Sequence, residues 1–81
     1  INETVNSKEL NIFPNPTRNS IQVNLPVPNK YFLIEVYSTL GERLVKTTDK
    51  TVIHVSSFAP GIYILTLTQD CNTWATKIVK E

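Results

Sequence analysis

Phe13-Pro14-Asn15-Pro16 is the most constrained stretch of this chain, because two prolines one residue apart end the short apolar segment before them. Each proline ring fixes φ and removes an N–H donor, and the residue before each proline is pushed into extended geometry. On the upstream side Leu10 and Ile12 flank a polar residue, and on the downstream side Thr17-Arg18-Asn19-Ser20 consists of turn-forming residues. We therefore predict that a first strand ends here at a rigid corner and that a second strand follows.

Apolar and polar residues continue to alternate beyond this corner, between further turn signals. Leu40-Gly41-Glu42 provides a glycine turn, and the interruption from Ser56 to Gly61 is too short for a stable helix, so Phe58 is expected to plug the core from an irregular crossover. The pattern has no helical period and predicts an all-β chain, a small Ig-like β-sandwich of about seven antiparallel strands. The positions predicted to face inward are Leu10, Ile12, Ile21, Val23, Leu25, Phe32, Ile34, Val36, Ile53, Val55, Tyr63, Leu65 and Leu67.

Length and composition restrict the class of protein. Eighty-one residues make one small domain, and 41% hydrophobic with 19% charged residues is ordinary for a globular chain. A net charge of +1 provides no field that would attract nucleic acid or anionic lipid, and no apolar run has the length of an integral membrane segment. Residues 1–8 are polar and aperiodic, so we expect a linker remnant from an upstream passenger, followed by one domain at 9–81. The chain does not begin with methionine, which favours a piece cut from a longer protein.

Residues that could carry chemistry are few and scattered. His54 is the only histidine and lies within a predicted strand, where its side chain should face solvent. Cys71 is the only cysteine, which excludes an internal disulfide and a zinc site built from cysteines. The carboxylates have neither the spacing of a calcium loop nor that of an acid–base pair. We therefore predict no catalytic residue, no metal, no cofactor and no enzymatic activity.

The aromatic residues leave one alternative open. Tyr31, Tyr37 and Trp74 are the rings that could be exposed together, as in a sugar-binding module, although each also fits at a strand edge or core margin. The alternative function is thus an Ig-like or fibronectin-like carbohydrate-binding or adhesive module at the end of a surface enzyme.

The order of these motifs resembles the C-terminal sorting domain of type IX secretion cargo, also called the Por secretion tail or type A sorting domain. The resemblance covers the chain from about Leu10 to Glu81. His54 stands where the family usually has aspartate. The matching segments are Phe13-Pro14-Asn15-Pro16, Ile21-Gln22-Val23, Ile34 to Tyr37, Leu40 to Val45, Ile53 to Ser56, Phe58, Gly61 to Leu65 and Thr76 to Lys80.

The resemblance implies a sorting signal that directs its passenger across the outer membrane. Its expected partners are the secretion translocon with its shuttle or sortase components, and a sortase-like surface peptidase commonly removes the domain afterwards. The expected location is the periplasm in transit, then the cell surface or the medium. The residues expected to keep the structural motif are Pro14, Asn15, Pro16, Gly41, Phe58, Gly61 and Tyr63.

The last strand is the expected recognition element. The candidate residues for translocon recognition are Lys77, Ile78, Val79, Lys80 and Glu81. A chain that ends on a strand should leave a sheet edge whose backbone groups are open to a partner, and we expect the ammonium groups of Lys77 and Lys80 to be free beside that edge.

Overall fold

The computed structural model describes residues 10–81, and within that range the regular structure is entirely β. The predicted linker at 1–8, and the predicted start of the domain at Glu9, lie outside the described residues. The strands are β1 (Ile12–Phe13), β2 (Ser20–Val23), β3 (Leu33–Ser38), β4 (Arg43–Thr47), β5 (Val52–His54), β6 (Gly61–Gln69) and β7 (Asn72–Lys80).

The strands form two sheets with antiparallel neighbours. One has the order β1-β2-β5 and the other the order β4-β3-β6-β7, so β7 is an edge strand of the larger sheet. This arrangement confirms the predicted all-β sandwich. A two-residue turn, Asp70-Cys71, joins β6 to β7, because Gln69 already pairs with Asn72, and Asp70 has φ 54°. The short turn leaves β6 and β7 paired along nine residues each.

One hydrophobic core lies between the two sheets, and both contribute to it. The predicted inward positions are buried, except that Ile12 and Leu25 are only partly buried against the core. Alternation explains the agreement, because residues two apart on a strand face the same side of the sheet. The core also contains two β7 residues that were not predicted to be inward, Trp74 and Ile78.

The irregular segment before β6 is fastened to the core by its aromatic residues. The Tyr63 hydroxyl donates a hydrogen bond of 2.5 Å to the Ala59 carbonyl, in the manner of the tyrosine corners of Ig-like sandwiches. The ring of Phe58 packs on that of Tyr63 with 5.0 Å between centroids, so Phe58 does reach the core as expected, although it stays partly buried. Gly61 has φ 151°, which side-chain-bearing residues rarely adopt, and it lets the chain enter β6 directly after this corner.

A buried glutamine fastens the loop between β2 and β3. Gln69 is almost fully buried; its Nε2 donates to the Val27 carbonyl at 2.9 Å, and its Oε1 accepts from the Val27 N–H at 3.1 Å. Sequence reasoning gave no role to this residue. A polar group in a core needs hydrogen-bond partners, and here the loop backbone supplies them.

Candidate recognition surface on the terminal strand

The last strand presents its residues alternately to the core and to solvent. Ile78 and Lys80 share the parity of Trp74 and are buried, whereas Lys77 is exposed and Val79 half-buried on the outer face of the sheet. Among residues 10–81 no ion pair or hydrogen bond engages the Lys77 ammonium. The five predicted recognition residues therefore divide into an outward pair, an inward pair and Glu81.

The expectation that Lys80 has a free ammonium is wrong. Lys80 is 9% exposed, and its Nζ donates a hydrogen bond of 3.1 Å to the Glu81 carbonyl. The physical reason is strand parity, since position 80 points to the same side as the core residue Ile78. Glu81 itself accepts a hydrogen bond of 3.4 Å from Arg18 Nε, an exposed pair of small energetic value. Lys77 is thus the lysine of this segment whose ammonium has no ion pair or hydrogen bond among residues 10–81.

The edge of β7 is partly covered by the Pro-Asn-Pro segment. The Asn15 side chain donates from Nδ2 to the Lys77 carbonyl and accepts at Oδ1 from the Val79 N–H, both at 2.9 Å. Thr17 continues the pairing: its N–H donates to the Val79 carbonyl at 2.9 Å, and its carbonyl accepts from the Glu81 N–H at 2.8 Å. These contacts form the Asn15–Thr17 clamp, which ties the connection between β1 and β2 to the other sheet.

The clamp corrects the expectation of a wholly open terminal edge. The outward backbone groups from the Lys77 carbonyl to the Glu81 N–H are all hydrogen-bonded. The two prolines restrict the backbone on both sides of Asn15, which helps to hold its amide where it pairs like a short piece of strand. The sequence marked this segment as rigid but carried no signal for its partner, which lies 62 to 64 residues away.

On the β7 side of the larger sheet, the outer face places one cation beside apolar side chains, whereas Glu35, Arg43 and Lys46 lie on the same face toward β4. Lys77 lies opposite Ile64, and Ile64 lies opposite Tyr37, so the three form a row across the sheet. Val79 pairs with Ile62 in the next row, where Ile62 is 46% exposed. We call these five residues the outer patch. Ile62 is exposed, whereas Tyr37, Ile64 and Val79 are half-buried, so the patch is a small apolar surface beside a charge. Such exposed apolar surface bordered by polar groups is a feature of protein interaction sites.

A charged group borders the outer patch on the β4 side. Arg43 Nη1 lies 3.2 Å from Glu35 Oε2, next to Tyr37. Partial burial raises the pKa of Tyr37 above its ordinary value of 10.0, the hydrogen bond and the negative charge of Glu35 raise it further, and Arg43 opposes the shift. The Tyr37 phenol is therefore neutral at physiological pH and adds hydrogen-bonding capacity to the patch.

The other sequence candidates do not assemble into a site. His54 is exposed on β5, as predicted, and Cys71 is an exposed free thiol in the last turn. No group of three possible metal ligands occurs in the part of the chain that the structure describes. The aromatic set expected of a sugar-binding module is not present as such, because Trp74 is buried at 7% exposure while Tyr31 is 71% exposed in a loop.

Comparison with known families agrees with the sequence motifs. The family model described as "Secretion system C-terminal sorting domain" matches residues 11–81. The chain belongs to this family. It is a C-terminal sorting signal of the type IX secretion system, and such a signal implies export of the attached protein to the cell surface or the medium. The carbohydrate-binding alternative is not favoured.

No curated protein matched the chain in a sequence comparison. Across residues 10–81, no helix has the length and apolar character needed to cross a membrane.

Proposed function

We propose that this sorting domain has no catalytic activity and acts by being recognised, already folded, by the outer-membrane translocon of the type IX system. It crosses the periplasm attached to its upstream passenger, and shuttle or sortase components of the system handle it at the outer membrane. A sortase-like peptidase then removes it at a boundary in or before residues 1–8. The basis is family membership together with the surface formed by the terminal strand.

We place the centre of recognition at Lys77 within the outer patch. The observation that supports this proposal is the exposed ammonium of Lys77, unpaired within residues 10–81, beside apolar side chains. The Lys77 ammonium has no partner among the described residues, and it lies opposite Ile64 on a face that also exposes Ile62. A partner carboxylate would gain an ion pair there, and an apolar rim around it would exclude water and strengthen the pair. The partner we propose thus presents a carboxylate within an apolar surface.

The other residues of the terminal segment hold β7 in the position that presents Lys77. Ile78 and Lys80 fix the strand to the core side, and Val79 contributes both to the outer patch and to the clamp. Deleting Lys77 to Glu81 would remove a core residue and the clamp partners together. A single charge change is therefore a cleaner test than truncation.

The test is export of a reporter fused to the full 81-residue chain in a bacterium that has the type IX translocon. We expect surface or medium signal for the native sequence, a loss of about tenfold or more for Lys77→Glu, and near-native export for Lys77→Arg. Lys50→Glu is the matched control, since it makes the same charge change at an exposed loop position.

The outcomes are distinct. A Lys77→Glu domain that folds and exports like the native chain overturns recognition through Lys77. Equal losses for Lys77→Glu and Lys50→Glu would point to net charge instead of a site. A native fusion that folds but stays in the periplasm would contradict sorting in that host.

A further inference from the structure

One stretch of the β7 edge has no hydrogen-bonding neighbour among residues 10–81. The clamp binds backbone groups of residues 77, 79 and 81, which point away from β6. In an antiparallel pair every second residue directs its N–H and C=O groups away from the partner strand. The N–H and C=O groups of Thr73 and Ala75 therefore also point outward. Among residues 10–81, no hydrogen bond to these groups occurs, and the Lys77 N–H is likewise unmatched. The open stretch therefore runs from Thr73 to Lys77.

The open stretch lacks the features that usually protect sheet edges. Natural edges are blunted by charges, prolines, bulges or very short strands. The opposite edge of the same sheet, β4, has Arg43 and Lys46 and a register shift in its pairing with β3, and β5 of the smaller sheet is only three residues long. The open stretch is regular and holds Thr73 and Ala75, with its single cation at the clamp end.

We propose that an extended segment of a partner protein adds to β7 along Thr73 to Lys77 as a fifth strand of the larger sheet, with an acidic side chain beside Lys77. This inference deepens the proposed function and rests on it. Main-chain hydrogen bonds to the open groups supply affinity, as in other strand additions, and the Lys77 charge selects the side chain at one end. The occupant is a protein segment, because the outward donors and acceptors of Thr73 to Lys77, which alternate and have no partner in the described part of the chain, match another backbone.

Both ends of the added strand are fixed by features already described. The Asn15 side chain occupies the edge at the Lys77 carbonyl, and the Asp70-Cys71 turn ends the sheet at the other side. About five residues of partner, roughly 17 Å long, fit between these limits. On the outer face the added strand would lie beside the small Ala75 side chain, which leaves room for a β-branched or aromatic residue.

The decisive variant is Ala75→Pro. Its ring removes the outward N–H and obstructs an incoming strand, but it breaks no bond to β6, because the Ala75 N–H points away from β6. Ala75→Val is the matched control, since it keeps the N–H and favours the strand. We expect Ala75→Pro to lower export of the reporter fusion by about tenfold or more while Trp74 fluorescence shows a folded domain, and we expect Ala75→Val to export normally.

Four outcomes separate the possibilities. Normal export of a folded Ala75→Pro domain overturns strand addition, and if Lys77→Glu still blocks export the proposed function survives. Loss of export by both Ala75→Val and Ala75→Pro would indicate a side-chain effect and also overturns it. If Ala75→Pro fails to fold, Thr73→Pro removes the neighbouring outward donor and carries the same expectation. A concentration-dependent dimer in sedimentation that Ala75→Pro abolishes would make a second copy of the chain the occupant, which overturns the partner assignment.

Discussion

Asn15→Ala should destabilise the domain, because the Asn15 amide is the central part of the clamp. The change removes a donor to the Lys77 carbonyl and an acceptor from the Val79 N–H, each at 2.9 Å. A typical intramolecular hydrogen bond contributes about 0.5 to 1.5 kcal/mol net. Because this pair is exposed and water can replace the amide, we expect a total loss of about 1 to 2 kcal/mol.

The assay is equilibrium and thermal unfolding followed by the fluorescence of Trp74, the single tryptophan, which is a buried residue of the same strand, β7. A loss of that size lowers Tm by roughly 4 to 16 °C in a domain of this length. Asn15→Asp should also destabilise, since a carboxylate keeps the acceptor for Val79 but turns a second oxygen toward the Lys77 carbonyl. Asn19→Ala is the control, an exposed asparagine whose side chain has no hydrogen bond in residues 10–81.

Amide hydrogen exchange measures the loss of the Asn15 contact at one backbone group, the Val79 N–H. The Val79 N–H should exchange faster in Asn15→Ala, whereas the Ile78 N–H, which faces β6, should change only as much as global stability does. An Asn15→Ala domain with the stability of Asn19→Ala and an unchanged Val79 amide would refute the clamp as a stabilising element.

Further predictions concern the core, the tyrosine corner and the outer patch. Gln69→Leu should cost about 2 to 3 kcal/mol in urea unfolding, because both Val27 backbone groups lose their buried partner; a cost no larger than for surface substitutions would contradict this. Tyr63→Phe keeps the ring but loses the hydroxyl bond to the carbonyl four residues upstream, so stability should fall by about 1 kcal/mol, and an unchanged Tm would argue against it. Tyr37 has a raised pKa when folded, so its contribution to stability is present below pH 10 and is lost as the pH rises through the folded pKa. Glu35→Gln should lower that pKa in a phenol absorbance titration referenced to Tyr37→Phe, and an unchanged midpoint would exclude Glu35 as a cause.

The sandwich was predictable because its strands alternate clearly, as Tyr63, Leu65 and Leu67 illustrate. The inward position of Lys80 was also present in the sequence, since Trp74 and Ile78 have the same parity, but it was missed because lysine was interpreted by residue type and not by position. The contact between Asn15 and the last strand could not be predicted in this way. Alternation assigns faces within a strand and contains no information on which loop covers a distant edge.

The Asn15–Thr17 clamp also bears on when the sorting signal becomes complete during synthesis. Its two halves lie at opposite ends of the domain, 62 to 64 residues apart, so Asn15 has its partners only after the last strand has been made. A polypeptide interrupted before Lys77 would have the Pro-Asn-Pro corner and most of the core strands, but the Asn15–Thr17 clamp between the two sheets could not form. The clamp therefore forms only when β7 is complete. A translocon that recognises the clamped form of the domain would not accept prematurely terminated cargo.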